Sequence, residues 1–124
     1  MFRIETDKSK RFLVISVAGH VTVEEAKQSA EQVRAVLKDV APGFVALTDF
    51  RFLESMVAAS APYVAEVMDV LAAKKVSAVV RVMPDPHKDI GLNILSQFHY
   101  GADIRTMTFE TLADAVQSLV GEEG

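Results

Sequence analysis

The 124-residue chain contains no cysteine and no tryptophan. The missing thiols exclude disulfides, thiolate metal centres and cysteine nucleophiles together, and they fit a reducing compartment, by default the cytoplasm. The six glycines stand singly at positions 19, 43, 91, 101, 121 and 124. A phosphate-cradling glycine loop, a dinucleotide fingerprint and a nucleophile elbow are therefore all missing, and no cofactor is expected. The 13 Lys and Arg residues are scattered among 17 Asp and Glu, for a net charge of -4. A nucleic-acid binder carries a basic stripe, and the sequence has none. Long apolar runs are missing too: the longest, Phe12 to Gly19, is broken by Ser16. It is far too short to span a bilayer, and the N-terminus lacks the basic-then-apolar order of an export signal, so membrane insertion is not expected.

What is present is enough for one core. Half of the residues are hydrophobic, which suits a single domain over residues 1–120, followed by a frayed polar tail at 121–124. Phe2, Ile4 and Thr6 alternate with Arg3 and Glu5, and a polar turn leads into the apolar run Phe12–Ala18. This reads as an antiparallel hairpin whose first strand lies near a sheet edge and whose second lies inside. Thr22 and Glu25 form a capping box, and Val23, Ala26, Ala30, Val33, Leu37 and Val40 recur at helical spacing after it. Phe44–Thr48 is a buried-strand run ending in Asp49. Residues 50–60 show no clear period and read as a loop, or a loop with a short turn. Val64, Val67, Met68 and Leu71 mark the next helix, with Pro62 in its first turn and Ser60 or Ala59 as its cap. Val76–Val82 is a third buried strand, followed by Pro84-Asp85-Pro86 and a helix carrying Ile90, Ile94, Leu95 and Phe98. Ile104–Phe109 is the last strand, and Thr111 with Asp114 opens a last helix.

The order is β-β-α-β-α-β-α-β-α: an α/β fold with a mostly parallel sheet and an antiparallel first strand. Right-handed crossovers place the ends of the parallel strands on one rim, where open α/β sheets bind their ligands.

With its opening hairpin, its Ala18-Gly19-His20-Val21-Thr22 joint, Val45-Ala46-Leu47-Thr48-Asp49 in the centre and Val79-Val80-Arg81-Val82-Met83-Pro84-Asp85 later, the chain resembles the STAS family. That domain is shared by sulfate transporters and anti-sigma-factor antagonists, and the likeness is to its stand-alone, sporulation-antagonist-like bacterial members. The resemblance implies a non-enzymatic module for protein interaction, switched by phosphorylation of a serine after the central strand. The family pairs Asp with that Ser and follows it with Ser or Thr and then Gly. Here Glu54-Ser55 keeps an acidic neighbour without the glycine, and Ser60 keeps the helix-cap placement without the acid.

Asp49, at the expected rim and followed by Arg51, is the most suggestive single residue. It reads either as a loop carboxylate paired with Arg51 or as part of a polar rim with His20, Asp85 and His87. That rim would suit acid–base chemistry by Asp49 with His20 or His87, but it has no metal-ligand spacing, and Lys88 opposes a cation. His99 reads as an ordinary residue at a helix C-terminus. Phe50, Phe52, Leu53, Met56 and Val57 crowd five large apolar groups into eight positions. They cover the end of the core, form a docking or homodimer surface, or roof an apolar pocket. The expected function is thus a regulatory module binding a partner or itself through Asp49, Phe50, Arg51, Phe52, Ser55, Met56 and Ser60. The alternative is a small-molecule or lipid-binding domain with its pocket under the same segment.

Overall fold

In the computed structural model, residues 1–7, 11–85, 99–100 and 104–123 are described. A five-stranded sheet has the order β1-β2-β3-β4-β5, with β1 (Phe2–Thr6), β2 (Phe12–Val21), β3 (Val45–Met56), β4 (Ala78–Val82) and β5 (Arg105–Phe109). β1 is antiparallel to β2 and every other pair is parallel, as the alternation of β1 and the intervening helices predict. Three helices are described: α1 (Val23–Leu37), α2 (Ala61–Ala73) and α3 (Leu112–Glu123). α3 takes in residues 121–123, which the composition placed in the tail. The helix expected after Pro86, with His87, Ile90, Ile94, Leu95 and Phe98, lies outside the described residues.

Each face of the sheet buries its own cluster. Leu13, Ile15, Val17, Ala46, Phe50 and Val79 join the α1 and α2 side chains on one face. Val80, Val82 and Ala115 centre the other, with Leu112 and Leu119 of α3 beside them. All five residues of β4 are buried, because both of its faces are covered and both of its edges are paired. At the start of α1 the Thr22 hydroxyl accepts the Glu25 amide proton at 3.2 Å, as the capping box predicts. Val40 lies past the end of α1 yet is buried all the same. No helix among the described residues is long and apolar enough to cross a membrane.

The structure corrects the reading of the central strand. Residues 50–56 are not loop: β3 continues to Met56, paired throughout with a β2 that itself reaches Val21. The reason is visible in the register. Ser16 faces Asp49 but Ala18 faces Phe52, and Gly19 faces Leu53 but His20 faces Ser55. At each of these two steps β3 carries one more residue than β2, the signature of a bulge. The buried positions of this half are consequently Phe50 and Leu53, three apart, instead of every second residue. A period-2 search fails on such a stretch. Gly19 occupies the left-handed region, φ +72°, at the second irregularity, a conformation glycine adopts without steric cost.

Asp49 is therefore not the end of its strand. It is the last residue of β3 paired with β4, opposite Val82, and Val82 in turn faces Phe109 of β5. β4 and β5 stop at this level, while β2 and β3 run on together and carry the 50–56 segment past the C-terminal ends of their neighbours. A short 3-10 turn, Ala58–Ser60, joins this overhang directly to α2.

Candidate functional site

The overhang presents three groups of side chains. At its base, Asp49 is buried, and both of its carboxylate oxygens accept from Arg51: Nε donates at 3.0 and 3.2 Å, Nη2 at 2.9 Å. The Arg51 amide adds a fourth bond at 3.0 Å. Burial works to raise the Asp49 pKa, but these bonds and the guanidinium charge outweigh it and hold the carboxyl below its ordinary value. Arg51 is thereby fixed, and its guanidinium carbon lies 5.0 Å from the centroid of the Phe52 ring, a cation–π contact. Phe52 itself is 63% exposed, which makes it and Val57, 48% exposed, two of the few large apolar side chains left on the surface among the described residues.

Farther along, His20 and Ser55 face each other across β2 and β3. His20 Nε2 lies 2.9 Å from a Glu54 carboxylate oxygen, and Nδ1 lies 2.5 Å from Ser55 Oγ. The carboxylate can only accept, so a neutral imidazole keeps its proton on Nε2 and offers the Nδ1 lone pair to the Ser55 hydroxyl. The result is a carboxylate–imidazole–hydroxyl chain that polarises Ser55. It stands on open surface, with His20 and Glu54 both well exposed. Water-excluded walls, which make such a chain strongly catalytic elsewhere, do not surround it.

The third group ends the overhang. Ser60 occupies the cap position of α2 that the sequence assigns to it, but its hydroxyl does not cap the helix. The 3-10 turn already puts Ser60 in helical conformation, so Oγ instead donates back to the Val57 carbonyl at 2.6 Å, and the residue is fully buried. Of the two serines weighed in the sequence, Ser55 is presented to solvent and Ser60 is enclosed.

The polar rim of His20, Asp49, Asp85 and His87 is not gathered at one point. His20 pairs opposite Ser55, and along β2 it stands four residues beyond Ser16, which faces Asp49, about 13 Å at strand rise. Acid–base work by Asp49 with His20 is thus ruled out by distance, and the Asp49 oxygens are engaged by Arg51 besides. Asp85 lies just past β4, partly buried, and His87 is outside the described residues. Among the described residues no three His, Asp or Glu side chains come together as metal ligands do. His99 binds Asp69 of α2, Nδ1 to Oδ1 at 2.6 Å. Of the apolar positions, Phe50 and Met56 turn inward and border an internal cavity, whereas Phe52 points out. Four polar residues that sequence reasoning passed over, Ser29, Thr48, Arg81 and Tyr100, border the same cavity. Arg81 carried a legible signal, a lone charge inside the otherwise uncharged, valine-rich run Val76–Met83.

No family model matches the chain, and a search of curated proteins finds no match. Solved structures do. An uncharacterized protein of the DUF3478 family with a SpoIIAA-like fold, from Shewanella loihica, superposes with a TM-score of 0.70 at 20% identity, over 96% of this chain and 92% of that one. The anti-sigma factor antagonist SpoIIAA in its unphosphorylated form superposes at 0.65 with 18% identity, over 98% and 99%. An anti-sigma factor antagonist from Mycobacterium paratuberculosis gives 0.62 with 20% identity, over 97% and 93%. The chain has the SpoIIAA-like fold over nearly its whole length.

Proposed function

We propose that this chain is a non-enzymatic regulatory module that binds a protein partner, or a second copy of itself, through the overhang of β3 and the turn into α2. The observation that carries the reading is the outward-facing pair Arg51 and Phe52, stacked on one another and pinned by Asp49, with exposed Val57 nearby. Aromatic and arginine side chains dominate the energetics of protein interfaces, and here their geometry is fixed before any partner arrives, which lowers the ordering cost of association. Two of the structural neighbours are anti-sigma factor antagonists, which favours the same class of function. Ser55, exposed and hydrogen-bonded to His20, is the serine best placed for a phosphate; two added charges beside Glu54 would repel that carboxylate and recast the surface.

The test is capture from the source organism's lysate, with sedimentation of the purified protein alongside, for wild type and for the double variant Phe52→Asp, Val57→Asp. Wild type is expected to retain a defined partner or to self-associate, and the variant to lose the complex while its melting temperature stays put. A wild-type protein that is strictly monomeric and captures nothing refutes the reading.

A second reading, binding of a small apolar ligand, is favoured by a separate observation: the helix-covered face of the sheet encloses a cavity lined largely by aliphatic side chains.

A further inference from the structure

Glu54, His20 and Ser55 owe their meeting to the backbone. Gly19 of β2 faces Leu53 and His20 faces Ser55, so Glu54 is the extra residue of the second bulge. In a regular strand successive side chains point to opposite faces, and Glu54 would turn away from Ser55. The bulge cancels one step of that alternation. Both side chains consequently reach the same imidazole, Glu54 at Nε2, 2.9 Å away, and Ser55 at Nδ1, 2.5 Å away. Gly19, left-handed just before His20, belongs to the same irregularity. The three groups are thus assembled by the main chain of two paired strands.

The order carboxylate, imidazole, hydroxyl is that of the serine hydrolases, with the two ring nitrogens exchanged in role. The carboxylate holds the ring proton on Nε2 and stabilises the imidazolium that forms when Nδ1 takes a second one. Nδ1 already lies within hydrogen-bond reach of the Ser55 hydroxyl, the contact that a general base needs. The surroundings decide what Oγ can attack. The His20 and Glu54 side chains are 75% and 65% exposed, so a small molecule reaches Oγ from solvent, and the oxyanion of the adduct forms in water. Such a site suits an acyl donor whose leaving group departs unaided, such as an aryl ester. The product is an ordinary ester on open surface, which water attacks slowly, so the acyl group stays on the serine.

We infer that Ser55 is a self-acylation site, which takes an acyl group from small activated esters without a second enzyme. Oγ forms a bond to the acyl carbon while Nδ1 of His20 takes the hydroxyl proton. The bond from the acyl carbon to the leaving oxygen then breaks, its electron pair goes to that oxygen, and His20 returns the proton to it or to water. Acylation removes the hydroxyl proton and with it the bond to His20, which alters the overhang without adding charge. The inference does not depend on the docking surface of Arg51 and Phe52, whose failure would leave it untouched.

The test incubates the full chain with p-nitrophenyl acetate and follows nitrophenolate release, while mass spectrometry of its peptides locates the acetyl group. Hydroxylamine removes an acetyl from serine and spares one on lysine, which separates the ester from background amides. The Ser55 ester is expected to form about a hundredfold faster in the native chain than in the same chain unfolded in urea, the worth of a positioned general base. His20→Ala should lose about that factor at an unchanged melting temperature, and free imidazole should restore part of it. Glu54→Gln should lose about tenfold, and nitrogen NMR of the His20 ring should show the Nε2 proton hydrogen-bonded in the wild type and released in the variant. A Ser55 acetylated no faster in the native chain than in the unfolded one, or equally fast in His20→Ala, overturns the inference. So does an acetyl group found on lysines alone. Should His20→Ala fail to fold, the native-to-unfolded ratio and Glu54→Gln decide the matter.

Discussion

β3 is one strand with two characters. Its first half, Val45–Asp49, is paired with β2 on one side and β4 on the other, one residue against one residue, and its core-facing Ala46 and Thr48 are buried. Its second half, Phe50–Met56, is paired with β2 through two bulges, and Arg51, Phe52, Glu54 and Ser55 all face solvent. The difference is one of constraint. A residue held by two ladders and covered on both faces answers to packing alone, whereas bulges re-aim side chains and free several at once for other work. The same strand thus begins as scaffold and finishes as display.

The sharpest contrast pits two phenylalanines against each other. Phe44, 2% exposed and leading into the doubly paired half, should cost about 3–5 kcal/mol when changed to alanine, as a large cavity opens in the core. Phe52→Ala should stay within about 1 kcal/mol, because the ring is largely exposed and its cation–π contact with Arg51 lies at the surface. Urea unfolding of the two variants measures both, and comparable losses would erase the distinction between the halves.

Next in size comes the pair of serines. Ser60→Ala removes a buried hydroxyl bonded to the Val57 carbonyl, which keeps its bond from the amide of residue 60, for a loss of about 1 kcal/mol, while Ser55→Ala should be nearly neutral. Chemical denaturation again reads the outcome, and a costlier Ser55→Ala would mean that the His20 bond is structural.

The smallest effect lies at the junction between the halves. The Asp49 carboxyl has a folded pKa below its unfolded value, so its stabilising contribution is whole above the unfolded pKa and is lost as pH falls through the folded one. Asp49→Asn should therefore flatten part of the acid limb of the stability curve below about pH 4. Identical acid limbs for wild type and variant would show that Arg51 holds the carboxylate no better than water does.

The two halves also differ in how far they could be read from residue order. Strand alternation in Phe2–Thr6, the Thr22–Glu25 box and the valine-rich run of Val76–Val82 each announce an element, because one local rule governs each of them. Nothing local announces Phe50–Met56. Its buried residues stand three apart because β2 and β3 slip against each other, a fact that belongs to the pair and not to either strand. Once that stretch is taken for loop, the meeting of His20 with Ser55 becomes invisible, and Asp49 is misplaced to a strand end. The Asp49–Arg51 bond was legible, being two residues apart on one segment. The convergence of Ser29, Thr48, Arg81 and Tyr100 was not, since four separate parts of the chain supply them.

The enclosure of the Ser60 hydroxyl carries a kinetic consequence. An enzyme acting on Ser55 meets its target at every collision, but one acting on Ser60 must wait for the first turn of α2 to breathe open. The rate of any such modification would follow the opening equilibrium of that turn, so whatever clamps α2 against the sheet, a molecule lodged behind Met68 included, would double as a timer for the chemistry outside.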